Sequence, residues 1–144
     1  MAEKHLKLEI VTPEKIVIQD EAQIVVAPGT YGEFGVLPGH TPFLTTLKVG
    51  VVRYKDKSGH EQYIFTNGGF SEALPHKVTI LTESAEKRED IDIERAKAAM
   101  RRAEDRLAAI QQAETKKEDL NNARVRASLQ RALARIRVAG GKSQ

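Results

Sequence analysis

Cysteine is absent from the 144 residues of the chain, which excludes disulfides, thiol nucleophiles and cysteine-ligated zinc. Long apolar runs are absent too, since no segment approaches the roughly eighteen residues of a transmembrane helix, and the N-terminus lacks the apolar core of a signal peptide. We therefore expect a water-soluble, cytoplasmic protein. Charge is nearly balanced, with 23 Lys and Arg against 20 Asp and Glu, so net charge by itself does not indicate nucleic-acid binding.

Proline and aromatic residues are confined to the first part of the chain, where all of them lie before His76. From His76 to Ala139 there is no glycine either, while Ala, Arg, Glu and Leu dominate. Such a change in composition predicts a domain boundary near residues 84–89. We therefore expect one domain over residues 1–86 and a second over residues 87–144.

The first domain has the pattern of short β-strands. Leu6, Leu8 and Ile10 alternate with polar residues, so the apolar side chains share one face. Similar alternation recurs at 15–19, 22–27, 44–54, 61–66 and 77–83. Turn residues separate these runs, as in KDKSGH at 55–60 and NGG at 67–69. The pattern predicts an antiparallel β-sandwich or barrel.

The second domain has the pattern of two amphipathic helices. Asp90 or Asp92 can cap the first helix, and a polar connection at 115–122 predicts an antiparallel hairpin that ends at Gly140. The two apolar stripes are Ala96, Met100, Ala103, Leu107 and Ile110, then Val125, Leu129, Leu133 and Ile136. Because the stripes are narrow and rich in alanine, the hairpin buries little area by itself. We expect it to be mobile and to lean on the sandwich or on a partner.

One loop, YGEFGVLPGHTPF at 31–43, crowds glycine, proline and histidine as catalytic or phosphate-binding loops do. Gly29, Gly32 and Gly35 have the spacing G-x-x-G-x-x-G, however, and no helix can begin at the residues that follow. His40 has no nucleophile motif or second ligand to work with, and the other histidines are single and scattered. We therefore expect a structural loop, and neither a catalytic residue nor a metal site in the chain.

Arginines cluster beside the apolar stripe of the second helix. At about 100° per residue, Arg124, Arg131 and Arg135 lie within about 40° of one another, and Arg95 and Arg102 share a flank of the first helix. Antiparallel pairing would bring these flanks together, which favours an anion among them: an acidic partner surface or a phosphate-bearing ligand. A solvated basic face and a nucleic-acid surface are the alternatives, although the face has no aromatic side chains for base stacking.

Several stretches carry a resemblance to a known family: LEIVTPEKIV near the start, GEFGVLPGHTPFLTTLKVG, the turn NGGF, the helix opening IDIERAKAA and the C-terminal RALARIRVA. Together they span essentially the whole chain. The chain resembles the epsilon subunit of bacterial rotary F-type ATP synthases. This resemblance implies a sandwich of about ten strands followed by a two-helix hairpin, in a central-stalk rotor subunit that couples the catalytic head to the proton-driven c-ring.

The resemblance also implies partners. The sandwich is expected to bind the gamma subunit along one face and the c-ring at one end, peripherally on the cytoplasmic face of the bacterial plasma membrane and without inserting into it. Matched by position, Tyr31, Gly32, Glu33 and Phe34 are expected at the c-ring, and His40 and Pro42 near gamma. No nucleic acid is expected as a partner. A free-standing sandwich whose basic hairpin binds nucleic acid or an acidic protein is the alternative.

For the hairpin, the resemblance implies two positions. Extended into the catalytic head, the hairpin inhibits ATP hydrolysis, and Arg124, Arg131 and Arg135 are expected to contact the beta and alpha subunits. The subunit itself is expected not to be a catalyst.

Folded down, some family members bind ATP as a regulatory ligand through the pattern Ile or Leu, Asp, two free positions, Arg, Ala. Ile91, Asp92, Arg95 and Ala96 match this pattern. Glu86, Arg102, Arg131 and Arg135 align with the remaining ligand positions. No cofactor is expected to be required.

Overall fold

The computed structural model describes residues 5–112 and 119–141, without the side chains of 119–121. Its strands are β1 (Leu6–Val11), β2 (Ile16–Gly29), β3 (Gly32–Val36), β4 (Phe43–Asp56), β5 (Glu61–Leu74), β6 (Lys77–Leu81) and β7 (Ala85–Lys87). Two helices follow, α1 (Ile93–Gln112) and α2 (Asp119–Ala139). The predicted fold class, a β-domain followed by a helical hairpin, is confirmed. The domain boundary predicted between residues 86 and 87 lies within strand β7. The boundary itself stays a prediction.

The strands form one sheet that closes on itself. The hydrogen-bonded order is β1-β6-β5-β4-β2, and the pairing of β2 with β1 closes the sheet. Strand β3 pairs with β2, and strand β7 pairs with β5. Pairing is antiparallel except between β1 and β6, which run parallel with Leu8 opposite Val78. The described residues form seven strands where about ten were expected. The reason is that β2, β4 and β5 run unbroken for 14 residues each.

The interior of the sheet is filled by the side chains that the alternating pattern predicts. Leu6, Leu8 and Ile10 of β1 are fully buried and belong to one core cluster with Val78 and Ile80 of β6. Successive residues of a strand point to opposite faces, so this set meets inside while its neighbours face solvent. The alternation therefore fixes which face of each strand is internal.

The NGG triplet at 67–69 lies inside β5, so the prediction of a turn there is wrong. Before the triplet β5 pairs with β7, and after it β5 pairs with β6. Gly69 has φ +120°, and a side chain there would collide with the backbone carbonyl of Leu81. Glycine is therefore required at this position, because of its positive φ and because the backbone of Leu81 comes too close for a side chain. The other predicted turn, at 55–60, is confirmed between β4 and β5.

The helices begin and end at recognisable caps. Asp92 is the cap of α1, because its Oδ1 accepts the backbone N–H of Arg95 at 3.0 Å. Asp90, the other predicted cap, lies in a 3₁₀ turn just before it. Helix α2 ends at Ala139, and Gly141, with a φ of +68°, closes the turn that follows. Of the predicted connection at 115–122, the first four residues lie outside the described residues and the last four belong to α2.

The hairpin is folded down on the barrel through the C-terminal half of α2. Ala134 and Val138, 1% and 0% exposed, form a buried cluster with Val51, Phe65 and Ile91. Helix α1 packs along α2 and reaches the barrel mainly through it. Within the described residues, no helix is long and apolar enough to cross a membrane.

Candidate functional site

A cleft of about 380 Å³ opens between the two helices and the edge of the barrel. Helix α1 contributes Arg95 and Arg102, α2 contributes Arg131 and Arg135, and β7 contributes Glu86. The full lining is Glu86, Asp90, Asp92, Arg95, Ala96, Ala99, Arg102, Ser128, Arg131 and Arg135. Antiparallel pairing of the helices therefore places the arginine flanks of both on a single cleft.

Arg135 is held in the cleft by the barrel. Its Nε lies 3.1 and 3.2 Å from the two carboxylate oxygens of Glu86, and its Nη2 lies 3.0 Å from Oε1. Its guanidinium carbon lies 4.3 Å from the centre of the Phe65 ring, a cation–π distance. Guanidinium groups match carboxylates with this two-point geometry better than ammonium groups do. Arg135 therefore ties α2 to both β7 and β5.

The other arginines of the cleft are not neutralised in the same way. Arg95, Arg102 and Arg131 form no ion pair with any other described residue. Asp92 lines the cleft as well, but its carboxylate is occupied as the cap of α1. Guanidinium groups gathered in this way attract an anion with several oxygens. The cleft can therefore hold phosphate groups, and the carboxylate of Glu86 offers acceptors for an N–H donor beside them.

Of the eight residues expected around ATP, seven line this cleft, and binding at them stays a prediction. Ile91 does not line it, because its side chain is buried beneath in the cluster with Phe65. Sequence reasoning missed Asp90, Ala99 and Ser128 as lining residues. Ala99 and Ser128 each stand three residues before an arginine of the cleft and four residues after an arginine of the same helix, so helical spacing alone could have identified these two. Arg124 lies outside the cleft, nearer the start of α2.

The glycine-rich loop forms an exposed end of the barrel. Tyr31 is 97% exposed between β2 and β3. Glu33 is paired with Arg53 at 3.2 Å, and Phe34 packs edge-on against Phe43 with ring centres 5.2 Å apart. Of the residues expected at the c-ring, Tyr31 is the side chain most fully presented to a partner, while Phe34 packs against the core.

His40 is engaged locally. Its Nδ1 lies 2.7 Å from the backbone carbonyl oxygen of Thr41, and because a carbonyl can only accept, Nδ1 donates this hydrogen bond. The ring stands 5.1 Å from that of Phe43, and Pro42 between them is exposed. These contacts hold the backbone of the loop.

The outer face of the sheet carries a row of exposed apolar side chains that sequence reasoning did not find. Ile16 pairs with Val11, Val11 with Leu81, and Leu81 with Phe70, on four adjacent strands. Ile16, Leu81 and Phe70 are 53%, 52% and 54% exposed. We call these four residues the apolar row. Contiguous exposed apolar side chains of this kind mark interaction surfaces.

Comparison with known families identifies the chain. The model for the β-sandwich domain of the ATP synthase delta/epsilon chain matches residues 5–88, and the model for its long α-helix domain matches residues 89–140. The chain therefore belongs to the delta/epsilon family of ATP synthase chains. This confirms the family predicted from sequence and decides against a free-standing nucleic-acid-binding module.

Bacterial epsilon chains are among the relatives. The ATP synthase epsilon chain of Desulforapulum autotrophicum is 59% identical over 108 residues, which cover 75% of this chain and 79% of that one. The ATP synthase epsilon chain of Desulfosudis oleivorans is 59% identical over 107 residues, with 74% and 80% covered.

Two solved structures share the fold. A chain of the Euglena gracilis mitochondrial ATP synthase, in a structure of OSCP, F1 and the c-ring, aligns with a TM-score of 0.72 at 21% identity, over 98% of this chain and 82% of that one. A chain of the Tetrahymena thermophila mitochondrial ATP synthase, in a structure of the central stalk and c-ring, aligns with a TM-score of 0.55 at 11% identity, over 96% and 98%.

Proposed function

We propose that the chain is a non-catalytic rotor subunit that joins the gamma subunit to the c-ring and regulates ATP hydrolysis through its hairpin. Family membership supports this, as does the fold shared with chains from structures of F1 and the central stalk with the c-ring. The subunit acts peripherally at the cytoplasmic face of a bacterial plasma membrane. ATP is made and hydrolysed in the beta subunits, which this chain influences from the stalk.

The apolar row is the proposed surface for gamma. A rotor subunit must stay fixed to its shaft under torque, and burial of apolar area supplies such a lasting contact. Val11, Leu81 and Phe70 also line a shallow apolar depression of about 560 Å³, which a side chain of a partner helix can fill. Tyr31, at the exposed end of the barrel, is the proposed contact with the c-ring.

The proposed switch is the release of the hairpin from the barrel. Few buried side chains hold α2 down, and polar contacts add to them: the pair of Arg135 with Glu86, and Arg88 Nε donating to the carbonyl of Ala139 at 3.2 Å. A contact this small can exchange with another packing of similar free energy. Once the hairpin is released, Arg124, Arg131 and Arg135 are available to acidic segments of the beta and alpha subunits.

The cleft is the proposed site for regulatory ATP, and its construction is the observation that carries the proposal. Its walls come from β7, α1 and α2 together, so it exists only while the hairpin is folded down. A ligand that binds one conformation stabilises that conformation in proportion to RT ln(1 + [L]/Kd). Bound ATP therefore favours the folded-down hairpin and relieves inhibition of hydrolysis when ATP is plentiful.

Calorimetric titration of the whole chain with ATP tests this site. We expect saturable binding, weakened about tenfold to a hundredfold by Arg131→Gln, because a guanidinium in contact with phosphate contributes about 1.5–3 kcal/mol. Arg126→Gln is the matched control, since Arg126 is exposed on the same helix and does not line the cleft. The control should bind ATP as the wild type does.

Two outcomes would count against the ATP site. One is the absence of any heat or NMR shift at millimolar ATP. The other is an equal loss of affinity in Arg131→Gln and Arg126→Gln, which would indicate attraction by overall charge instead of a defined cleft.

A further inference from the structure

A groove of about 480 Å³ lies between α2 and the outer face of the barrel. We call it the side groove. The residues that α2 contributes to it are Gln130, Leu133 and Arg137. The residues that α2 contributes to the cleft are Ser128, Arg131 and Arg135. At about 100° per residue the two sets lie on opposite sides of the helix, with the barrel-facing Ala134 and Val138 between them. Helix α2 therefore rests on the barrel with the cleft along one side and the side groove along the other.

The walls of the side groove are largely apolar. The apolar side chains that line it are Pro28, Val49, Val51 and Leu133. Pro28 lies directly against Gly50, where an added Cβ would stand 2.9 Å from the Cβ of the proline. Glycine at position 50 therefore allows Pro28 to pack against β4 and to form part of the apolar wall.

The polar residues of the side groove leave it with positive charge that is not neutralised. Lys48 of β4 and Arg137 of α2 are exposed at the groove, and neither forms an ion pair with another described residue. Glu33 is the one carboxylate among the described residues that line the groove, and it is already paired with Arg53 at 3.2 Å. The groove therefore presents an ammonium group from the barrel and a guanidinium group from α2.

This combination fits a small molecule with an apolar chain and an anionic head group. Small-molecule sites have volumes of about 300–1,000 Å³, mostly apolar walls and a few polar groups that orient the ligand, and the side groove has each of these features. Along α2 the groove spans only two turns, roughly 10 Å. A stable interface with a folded protein needs about 800 Å² on each partner and would extend well beyond it.

We propose that the side groove binds a single-chain carboxylate of the fatty-acid class. The hydrocarbon chain lies against the apolar walls, where burial of each methylene group is favourable, and the carboxylate lies between Lys48 and Arg137. Because one of these charges belongs to the barrel and the other to α2, the ligand connects the two and favours the folded-down hairpin by mass action.

The side groove acts independently of the proposed ATP site. The two sites have no lining residue in common, so their ligands do not compete. Both sites need the folded-down hairpin, however, and a ligand in one therefore raises the affinity of the other for its own ligand. The proposal rests on the docked position of α2 and does not require ATP to bind.

Calorimetric titration of the whole chain with sodium dodecanoate, below the concentration at which it forms micelles, tests this site. We expect one molecule to bind saturably. Lys48→Gln and Arg137→Gln should each weaken binding about twofold to fivefold, because solvent screens exposed ion pairs, and Gln130→Glu should weaken it by placing a carboxylate at the groove. Lys15→Gln on the barrel and Arg126→Gln on α2 are the matched controls, since both residues are exposed and neither lines the groove.

Two further ligands separate the contribution of the head group from that of the chain. Dodecyltrimethylammonium has the same chain with the opposite charge, and hexanoate has the same head group with a shorter chain. Both should bind at least about tenfold more weakly than dodecanoate, because each lacks one of the two features that the groove recognises. Amide hydrogen exchange in α2 should slow about tenfold when free dodecanoate is at ten times its Kd.

Several outcomes would overturn the side groove. They are the absence of saturable heat, equal weakening by the control substitutions, and equal affinity for dodecyltrimethylammonium. NMR shifts induced by dodecanoate at Phe70 and Leu81, without shifts at Val49 and Leu133, would assign the amphiphile to the apolar row instead. Loss of gamma from the groove variants, with no binding of dodecanoate, would identify the groove as a protein interface.

Failure here is distinguishable from failure of the proposed ATP site. If dodecanoate does not bind while ATP does, the side groove is overturned and the nucleotide cleft stands. If dodecanoate binds through Lys48 and Arg137 to a chain that does not bind ATP, the side groove is supported and only the nucleotide function is overturned.

Discussion

Arg135 joins three parts of the fold with one side chain. Its guanidinium pairs with Glu86 of β7 and lies over Phe65 of β5, while its backbone belongs to α2. The two partners of the ion pair are 29% and 32% exposed, so solvent screens their attraction and keeps its contribution below about 1 kcal/mol. The cation–π contact adds about 0.5–1 kcal/mol.

Arg135→Gln should therefore loosen the end of α2 without unfolding the barrel. In the absence of nucleotide, we expect amide hydrogen exchange in the last turns of α2 to rise by about fivefold to tenfold, which corresponds to about 1 kcal/mol. Glu86→Gln should have a smaller effect, because Arg135 keeps its contact with Phe65. Arg137→Gln, two residues away and exposed, is the control, and an equal effect of this change would exclude Arg135 as the specific anchor.

Tyr54 makes the barrel sensitive to alkali. Its hydroxyl donates to Asp20 Oδ2 at 2.9 Å, and burial, followed by this bond to a carboxylate, raises the pKa of Tyr54 well above its usual range. A tyrosine whose pKa is raised by folding contributes stability that is fully present below the unfolded pKa of about 10. That stability is lost as the pH rises toward the folded pKa.

We expect the free energy of unfolding, measured by urea denaturation, to fall between pH 9 and pH 11 by more in the wild type than in Tyr54→Phe. At pH 7 the substitution should cost about 0.5–1.5 kcal/mol, the contribution of the lost hydrogen bond. Parallel pH profiles for the two proteins would show that another group accounts for the alkaline loss.

At the scale of elements, α2 packs on two surfaces at once. Val125 and Ala132 are buried within the hairpin, whereas Ala134 and Val138 are buried against Val51 and Phe65 of the barrel. A helix caught between a partner helix and a sheet is covered on two sides, and small side chains allow both to approach closely. The most buried positions of α2 are therefore those closest to the neighbouring helix or sheet, where a small side chain fits, and they are not the positions of its largest apolar side chains.

This double packing explains where prediction from sequence succeeded and failed. The alternation in β1 identified its buried residues correctly, because alternate side chains of a strand lie on opposite faces of the sheet and only one of these faces is turned to the core. In α2 the leucines at 129 and 133 were expected at the centre of the stripe, and both are only partly buried. Hydrophobicity ranks leucine above alanine, but only the tertiary arrangement shows which positions lie closest to a neighbour.

Val138→Ala should destabilise the docking of the hairpin without affecting the barrel. Val138 is fully buried between α2 and the sheet, and removal of two methyl groups there costs about 1–3 kcal/mol. We expect faster proteolysis within α1 and α2 and an unchanged melting temperature of the barrel. Val52→Ala, an equal truncation at a fully buried site inside the barrel, should lower that melting temperature instead. If both variants melt the barrel alike, hairpin and barrel form a single cooperative unit.

At the scale of the whole molecule, the proposed surfaces for gamma and the c-ring lie on different parts of the barrel. The apolar row arises only from strand register, since its members are separated by up to 70 residues along the chain. The pattern of a single strand shows only that one such residue faces outward, and it does not show that the four residues are neighbours on the sheet. Tyr31, by contrast, belongs to a loop whose composition is distinctive in the sequence itself.

Substitutions at these two surfaces should separate the two attachments. Phe70→Asp, at a site already 54% exposed, should leave the fold intact and abolish co-purification with gamma. Tyr31→Ser should leave binding to isolated gamma unchanged and weaken attachment of the assembled head and stalk to the c-ring, measured by sedimentation with membranes. Retention of gamma by Phe70→Asp would exclude the apolar row as its docking surface.

The parallel pair of β1 and β6 imposes an order on biosynthesis. Residues 7–11 cannot acquire their second neighbour until residues 77–81 have left the ribosome, so the barrel remains open while most of its chain is translated. The receptor surface for α2, formed by Val51 and Phe65, is then complete before α2 emerges. The hairpin is thus the last part to fold onto a finished template, and its attachment can be undone and remade without repeating any earlier step of folding.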